Sequence, residues 1–263
     1  MKRFVMALPL GPLLSVALFA QPAFAQSQST QTIVRDPEAI AILQGSVSAM
    51  GTTLPSDSVA SGTVQIVAGS LTSTGTIRVL TKGAAQTLVE LKTTDSTRAT
   101  IYSGGQANDL VGSTVKKLPL ELVMTSRAVE FPLPFIVALL NDFDTSFQYV
   151  GVETSNGISL HHIKAWNSFS SQPGYQILSN FTLRDIWIGA SSLLPQRISC
   201  TRRPASGAAS VAFDVFYNNY QNFGGVVYPL AIEESLNGTP WATITIRAVA
   251  FNHGLTDADF PVQ

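Results

Sequence analysis

Cysteine and charge are both scarce in this chain, and each shortage limits what the protein can be. Cys200 is the only cysteine among 263 residues, so no internal disulfide can form and the fold must depend on its core. We expect Cys200 to be a small buried apolar residue. Charged residues make up 13% of the chain, against about a quarter in average soluble domains, and the net charge is −1. We therefore expect no nucleic acid partner.

Motifs that mark common enzymes and cofactor sites are also missing. The sequence contains no G-x-S-x-G elbow, no H-E-x-x-H zinc motif, no C-x-x-C pair, no Walker loop and no G-x-G-x-x-G dinucleotide loop. These absences weaken the usual catalytic, metal-binding and cofactor-binding interpretations. We predict a protein that is not an enzyme and that holds no metal or cofactor.

Long apolar runs are confined to the N-terminus. Lys2 and Arg3 precede an apolar stretch that ends in the A-x-A sequence Ala23–Ala25, which is the pattern of a secretory signal peptide. No later stretch is long and apolar enough to span a bilayer, and no cysteine stands immediately after the cleavage site. We expect an exported, soluble, periplasmic protein. Its expected organisation is a signal peptide at 1–25, a polar linker at 26–35 and a single domain at 36–263.

The first predicted element of the domain is a helix. Asp36 suits the N-cap, Pro37 the first helical position, and Gly51 the C-terminal end. Apolar residues at spacings of three and four then predict one stripe that packs against a sheet. The stripe consists of Ile40, Leu43, Val47 and Met50.

Short segments rich in threonine, valine and isoleucine predict an antiparallel sheet. Asn156-Gly157 and Asn237-Gly238 mark two tight hairpins. Alternation along the last strand predicts an apolar face made of Ala242, Ile244, Ile246 and Ala248. The predicted strands are Val59–Ala68, Gly75–Leu80, Gln86–Lys92, Arg98–Tyr102, Phe147–Glu153, Ile158–Trp166, Gln176–Ile188, Gln196–Arg202, Val211–Tyr217, Leu230–Leu236 and Trp241–Phe251.

A leucine-, phenylalanine- and proline-rich insert separates the two runs of strands. It predicts two short helices, Leu120–Ala128 and Leu133–Asn141, with a proline-bounded joint near Phe131. A fixed helical layer over the sheet and a mobile lid both fit this pattern. Both interpretations place the apolar side chains of the insert against the sheet.

Two adjacent pairs of ionisable residues are candidates for chemistry. His161-His162 and Glu233-Glu234 lie in predicted strands, where neighbouring side chains point to opposite faces. Neither pair converges easily on one metal ion or one acid–base site. We interpret the histidines as structural or surface residues. Glu234 either pairs with a basic residue such as Arg247 or lies in solvent at a strand end, and solvation is the default expectation.

Two passages in the second half of the chain carry a recognisable pattern. The first is Asp185–Ile188, a short turn, and Leu194–Ile198; the second is the tail Ala248–Phe260. They resemble the "W-[IL]-D-P…L-P-x-R-[IL]" strand–turn–strand and the "N-x-x-L-x-D-x-x-F" ending of the LolA-like superfamily of periplasmic lipoprotein carriers. Gly189–Ser192 replaces the Asp-Pro turn of that pattern.

The resemblance implies an α+β fold and a binding function. The fold would be an incomplete antiparallel β-barrel, with an N-terminal helix and the central helical insert covering its open side around an apolar cavity. The function would be non-catalytic transport or binding of lipoprotein acyl chains or other lipids. An envelope sensor or protein-interaction module on the same fold is the alternative, and an envelope hydrolase is the third hypothesis. The expected cavity and cover residues are Leu120, Val123, Phe131, Phe135, Ile136, Leu139 and Leu140.

Overall fold

The computed structural model describes residues 32–125, 129–202 and 209–262. These residues form three α-helices, two 3₁₀ segments and thirteen strands. The helices are α1 (Pro37–Met50), α2 (Leu120–Thr125) and α3 (Pro132–Asn141), and the 3₁₀ segments are Pro173–Phe181 and Asp257–Asp259. The strands are β1 (Asp57–Ala68), β2 (Leu71–Lys82), β3 (Gln86–Thr93), β4 (Thr97–Ser103), β5 (Gln106–Val111), β6 (Thr114–Lys117), β7 (Thr145–Ser155), β8 (Ile158–Asn167), β9 (Arg184–Gly189), β10 (Pro195–Arg202), β11 (Val211–Phe223), β12 (Val226–Leu236) and β13 (Thr239–Phe251).

The thirteen described strands form one antiparallel sheet in the order β6-β5-β4-β3-β2-β1-β13-β12-β11-β10-β9-β8-β7. Neighbours in the sheet are neighbours in the chain, except that β1 pairs with β13 and so joins the two runs of strands. Since β6 and β7 are the two edges, the sheet is not closed into a barrel. The predicted fold class, an α+β open half-barrel with helices, is confirmed.

Helix α1 begins and ends where the sequence predicts. The Asp36 carboxylate accepts hydrogen bonds from the amides of Glu38 and Ala39, and its second oxygen accepts one from the Tyr149 amide at 2.9 Å. This cap therefore also ties α1 to β7. Gly51 closes the helix by donating its amide to the Val47 carbonyl at 3.0 Å. Within the predicted stripe, Leu43 and Met50 are fully buried, whereas Ile40 and Val47 are half-buried.

Both predicted Asn-Gly hairpins are confirmed. Asn156 and Gly157 have φ of 49° and 78°, and Asn237 and Gly238 have φ of 49° and 75°. Positive φ at both central residues is the type I′ geometry, whose twist matches that of the flanking strands. The turns therefore set the registers of β7 with β8 and of β12 with β13.

The predicted strand Gln176–Ile188 is wrong over its first half. Residues Pro173–Phe181 form a 3₁₀ segment, and the strand begins only at Arg184. Pro173 lacks an amide hydrogen and has a φ suited to the first helical position, so it starts a helical turn. Ile177 is 80% exposed, which shows that the apolar residues here do not follow strand alternation.

The predicted apolar face of the last strand is wrong at Ala248. Ala242, Ile244 and Ile246 are buried, but Ala248 is exposed. The register between β1 and β13 shifts by one residue after Ser61. Ser61 pairs with Ala248, but the next residue, Gly62, pairs with Ile246. Arg247 is the extra residue of a β-bulge, and a bulge moves later side chains to the other face.

Strands β5 and β6 were not predicted. The β4–β5 turn lies at the predicted Ser103–Gln106 break. All four residues of β6 are exposed, so this strand shows no apolar alternation. The helices of the insert are close to their predicted positions. Helix α2 extends to Thr125, and the rest of its predicted span, to Ala128, lies outside the described residues.

The sheet has apolar residues on both faces. Ala60 and Val79 belong to the main core, which also contains buried residues of α1 and α3, whereas the adjacent Val59 and Leu80 belong to a second, smaller cluster. Adjacent strand residues point to opposite faces, so the helices cover one face. The tail residues Leu255 and Phe260 pack against the second cluster on the other face.

Candidate ligand-binding cavity

A cavity of about 640 Å³ lies beside α2 and α3. Four predicted site residues line it: Leu120 and Val123 of α2, and Phe135 and Leu139 of α3. Strand residues complete the walls, among them Thr87, Tyr102, Trp166 and Arg184. The volume falls within the range of about 300–1,000 Å³ that is typical of small-molecule sites.

The other three predicted site residues do not line this cavity. Ile136 is fully buried and Phe131 is 3% exposed, and both belong to the main core. The Phe131 ring lies 4.4 Å from the ring of Tyr228 on β12, measured between centroids. Leu140 is half-buried against the same core. These residues hold α3 on the sheet, which leaves Phe135 and Leu139 on its cavity side.

Three polar residues of the cavity lining have hydrogen-bond partners within the chain. Asn167 donates a hydrogen bond to the Asp142 carboxylate at 3.0 Å, and the Asp144 carboxylate accepts from the hydroxyls of Ser170 and Ser171. Burial acts to raise the pKa of Asp144, but these hydrogen bonds outweigh it and the net pKa is lowered. Both aspartates are thus partnered, and the apolar walls remain the main binding surface.

Glu234 is buried, which corrects the expectation that it lies in solvent. Its side chain, with Glu130 and Arg202, lines a second cavity of about 340 Å³. Glu234 is 7% exposed, and burial together with the Glu130 carboxylate raises its pKa to about 7, against the opposing effect of the Arg202 guanidinium. The basic neighbour is therefore Arg202 rather than Arg247. Sequence reasoning missed Glu130 and Arg202, because the three groups come from distant segments and share no motif.

The two adjacent histidines point to different partners, as strand alternation requires. His161 Nδ1 lies 3.0 Å from the Tyr149 hydroxyl, whereas His162 lies 2.6 Å from both Glu153 and Asp185. The His162 ring also stacks on Trp187 at 4.5 Å between centroids. Each histidine is thus held by contacts within the sheet. Cys200 packs against the main core but is only half-buried, so it is more exposed than predicted.

Within residues 32–125, 129–202 and 209–262, none of the helices has the length and apolar character needed to cross a membrane.

Solved structures resemble this chain over most of its length. A domain described as an outer membrane lipoprotein-sorting protein from Vibrio parahaemolyticus has a TM-score of 0.59 and 15% identity, covering 85% of this chain and 96% of its own. A LolA superfamily protein from Nitrosomonas europaea has a TM-score of 0.57 and 15% identity, with coverages of 85% and 97%. A DUF1329 family protein from Desulfovibrio piger has a TM-score of 0.57 and 13% identity, with coverages of 86% and 98%.

The chain has a LolA-like fold. No protein-family model matches its sequence, and no curated protein matches it either. At 13–15% identity the likeness rests on the path of the backbone, so it shows the fold and leaves the ligand open.

The motif residues of the LolA-like fold have structural roles here. The Arg197 guanidinium lies 4.3 Å from the Trp187 ring centroid and forms a 2.6 Å ion pair with Asp214. These contacts link β9, β10 and β11. In the tail, the Asp57 carboxylate accepts hydrogen bonds from the amides of His253, Gly254 and Leu255. The motifs therefore assemble the sheet and fix its last segment.

Proposed function

We propose that this protein binds acyl chains of lipoproteins or other lipids in the cavity beside α2 and α3, and carries them through the periplasm without catalysing a reaction. The observation that carries the proposal is the cavity of about 640 Å³ between the helical insert and the sheet. Its apolar lining from the helices includes Leu120, Val123, Phe135 and Leu139.

The hydrophobic effect is sufficient to hold such a ligand. Each methylene moved from water into an apolar site contributes about 0.8 kcal/mol. A chain of several methylenes therefore binds without a covalent bond, metal or cofactor. The polar end of the ligand would lie toward Asn167, Asp142 and Asp144, where the cavity is hydrophilic.

A periplasmic location and a single domain at 36–263 belong to the same proposal. The N-terminal sequence has the pattern of a cleaved signal peptide. The neighbour from Vibrio parahaemolyticus, described as a lipoprotein-sorting domain, supports a role in the envelope. One sheet contains strands from all three described ranges, which are 32–125, 129–202 and 209–262. This supports a single domain after the linker.

The test is to express the full chain in a Gram-negative host and purify it from the periplasm without detergent. Native mass spectrometry should show a bound lipid, and after delipidation a fluorescent acyl probe should bind and be displaced by fatty acids. A lipid-free protein that ignores the probe would contradict the proposal. Stoichiometric recovery of an envelope protein with an unfilled cavity would favour the interaction-module alternative instead.

A further inference from the structure

The second cavity combines apolar walls with a cluster of ionisable side chains. Its walls include Val64, Ile66, Val89, Leu91, Leu122 and Ile244. Glu130, Arg202 and Glu234 line the same space of about 340 Å³. Since charged groups are costly to bury without partners, such a cluster inside an apolar cavity needs an explanation.

One carboxylate oxygen of Glu130 has no partner in the part of the chain that the structure describes. Glu130 is 7% exposed, and the atom without a hydrogen bond there is its buried Oε2. Burial raises the pKa of Glu130, and the Arg202 guanidinium opposes that effect. The guanidinium itself lies 3.4 Å from the Phe213 ring centroid, where it stacks on the aromatic face. A strong hydrogen-bond acceptor is thus left unsatisfied beside an apolar surface.

The charges of the cluster define the complementary ligand. The lining also contains Arg98 and Asp109, whose charges cancel. Its three carboxylates and two guanidinium groups therefore carry a net charge of −1 when all are ionised, and one positive charge neutralises them. A protonated amine also donates up to three hydrogen bonds, as a lysine ammonium does, and so can satisfy Glu130 Oε2. A carboxylate or phosphate head group would instead add a like charge to the cluster.

We infer that this second cavity binds an aliphatic or lipid amine, with the ammonium group on Glu130 and Glu234 and the hydrocarbon chain on the walls of β1, β3 and β13. The site is different from the acyl cavity of the proposed function. The two linings share Tyr102, but Glu130 and Glu234 line only the second.

The test compares dodecylamine, dodecanol and dodecanoate by isothermal titration calorimetry with the delipidated protein at pH 8. The amine remains protonated there, because a primary aliphatic amine has a pKa of about 10.4. Dodecylamine should bind at least tenfold more tightly than dodecanol, because a charged donor strengthens the hydrogen bond to a carboxylate. Equal affinities for the amine and the alcohol would overturn the inference.

Variants locate the amine. Glu130→Gln should lower dodecylamine affinity at least tenfold and leave dodecanol affinity unchanged. Glu234→Gln should also lower dodecylamine affinity. Glu233→Gln is the matched control, because Glu233 is exposed on the opposite face of β12 and should have no effect. Thermal unfolding checks that each variant is folded. Unchanged amine affinity in both Glu130→Gln and Glu234→Gln would overturn the inference. A protein that binds the amine but not the acyl probe would contradict the proposed function of the first cavity and leave the amine site standing.

Discussion

The hydroxyl of Tyr217 donates a 2.7 Å hydrogen bond to the main-chain carbonyl of Val129. Tyr217 is fully buried on β11, and Val129 lies in the segment between α2 and α3. This buried hydrogen bond joins the segment between α2 and α3 to the sheet, directly beside Glu130. It adds to the apolar packing that holds the helical cover on the sheet.

Replacing Tyr217 by phenylalanine should destabilise the protein. The Val129 carbonyl would lose its buried donor, and an unsatisfied buried polar group costs about 1–3 kcal/mol. Urea denaturation followed by circular dichroism measures the change. Tyr228→Phe is the matched control, because the buried Tyr228 hydroxyl has no hydrogen-bond partner among the described residues and its removal should be neutral or stabilising. Equal losses in both variants would show that the Val129 contact does not stabilise the cover.

Filling the acyl cavity should weaken lipid binding without unfolding the protein. Ala138 of α3 lines the cavity and is half-buried, so Ala138→Trp would place an indole in the space for the ligand. We expect acyl-probe affinity to fall at least tenfold, measured by fluorescence titration. Ala41→Trp, at an exposed position of α1, is the control and should bind the probe normally. Normal probe binding by Ala138→Trp would place the acyl chain elsewhere.

Adding a single methyl group at Gly62 should destabilise the junction of the two strand runs. An alanine Cβ there would collide with the Thr245 carbonyl oxygen, so the backbone of β1 or β13 must shift. Overpacking of this kind costs about 1–3 kcal/mol. Gly174→Ala is the control, because its added Cβ meets no atom within 4 Å. Urea denaturation should show a loss for Gly62→Ala alone, and a loss of similar size in both would refute the steric argument.

Asp57 should make the tail sensitive to acid. Burial acts to raise its pKa, but the hydrogen bonds from His253, Gly254 and Leu255 outweigh it, so the folded-state pKa lies below the ordinary value of 3.8. A lowered folded pKa adds stability at pH above 3.8, and this contribution disappears as pH falls through the folded value.

The corresponding experiment is urea denaturation of wild type and Asp57→Asn from pH 7 to pH 3. The variant should be about 1–3 kcal/mol less stable at neutral pH, since hydrogen bonds to a charged acceptor are lost, and the difference should shrink below pH 4. Asp95→Asn, at an exposed turn, should match wild type throughout. A difference that is independent of pH would mean that the carboxylate charge does not hold the tail.

Local chemistry was sufficient to predict most elements of the fold. Three features depend on interactions within a few residues and can therefore be predicted from the sequence: the cap at Asp36, the two Asn-Gly turns and the proline-bounded insert. Predictions failed at Ala248 and at β6, where strand pairing decides the outcome. Ala248 is exposed because β1 and β13 pair through a bulge, and β6 is a strand because β5 offers its edge, although no side chain of β6 is buried.

Composition and periodicity are enough to predict that the chain folds on an apolar core without a disulfide, through alternating strands around an apolar helical insert. Tertiary packing determines which insert residues line a cavity: Phe135 and Leu139 line the first cavity, whereas Phe131 and Ile136 do not. It also brought Glu130, Arg202 and Glu234 together. Periodicity specifies which side of an element is apolar. The curvature and packing of the whole sheet determine which residues that side contacts.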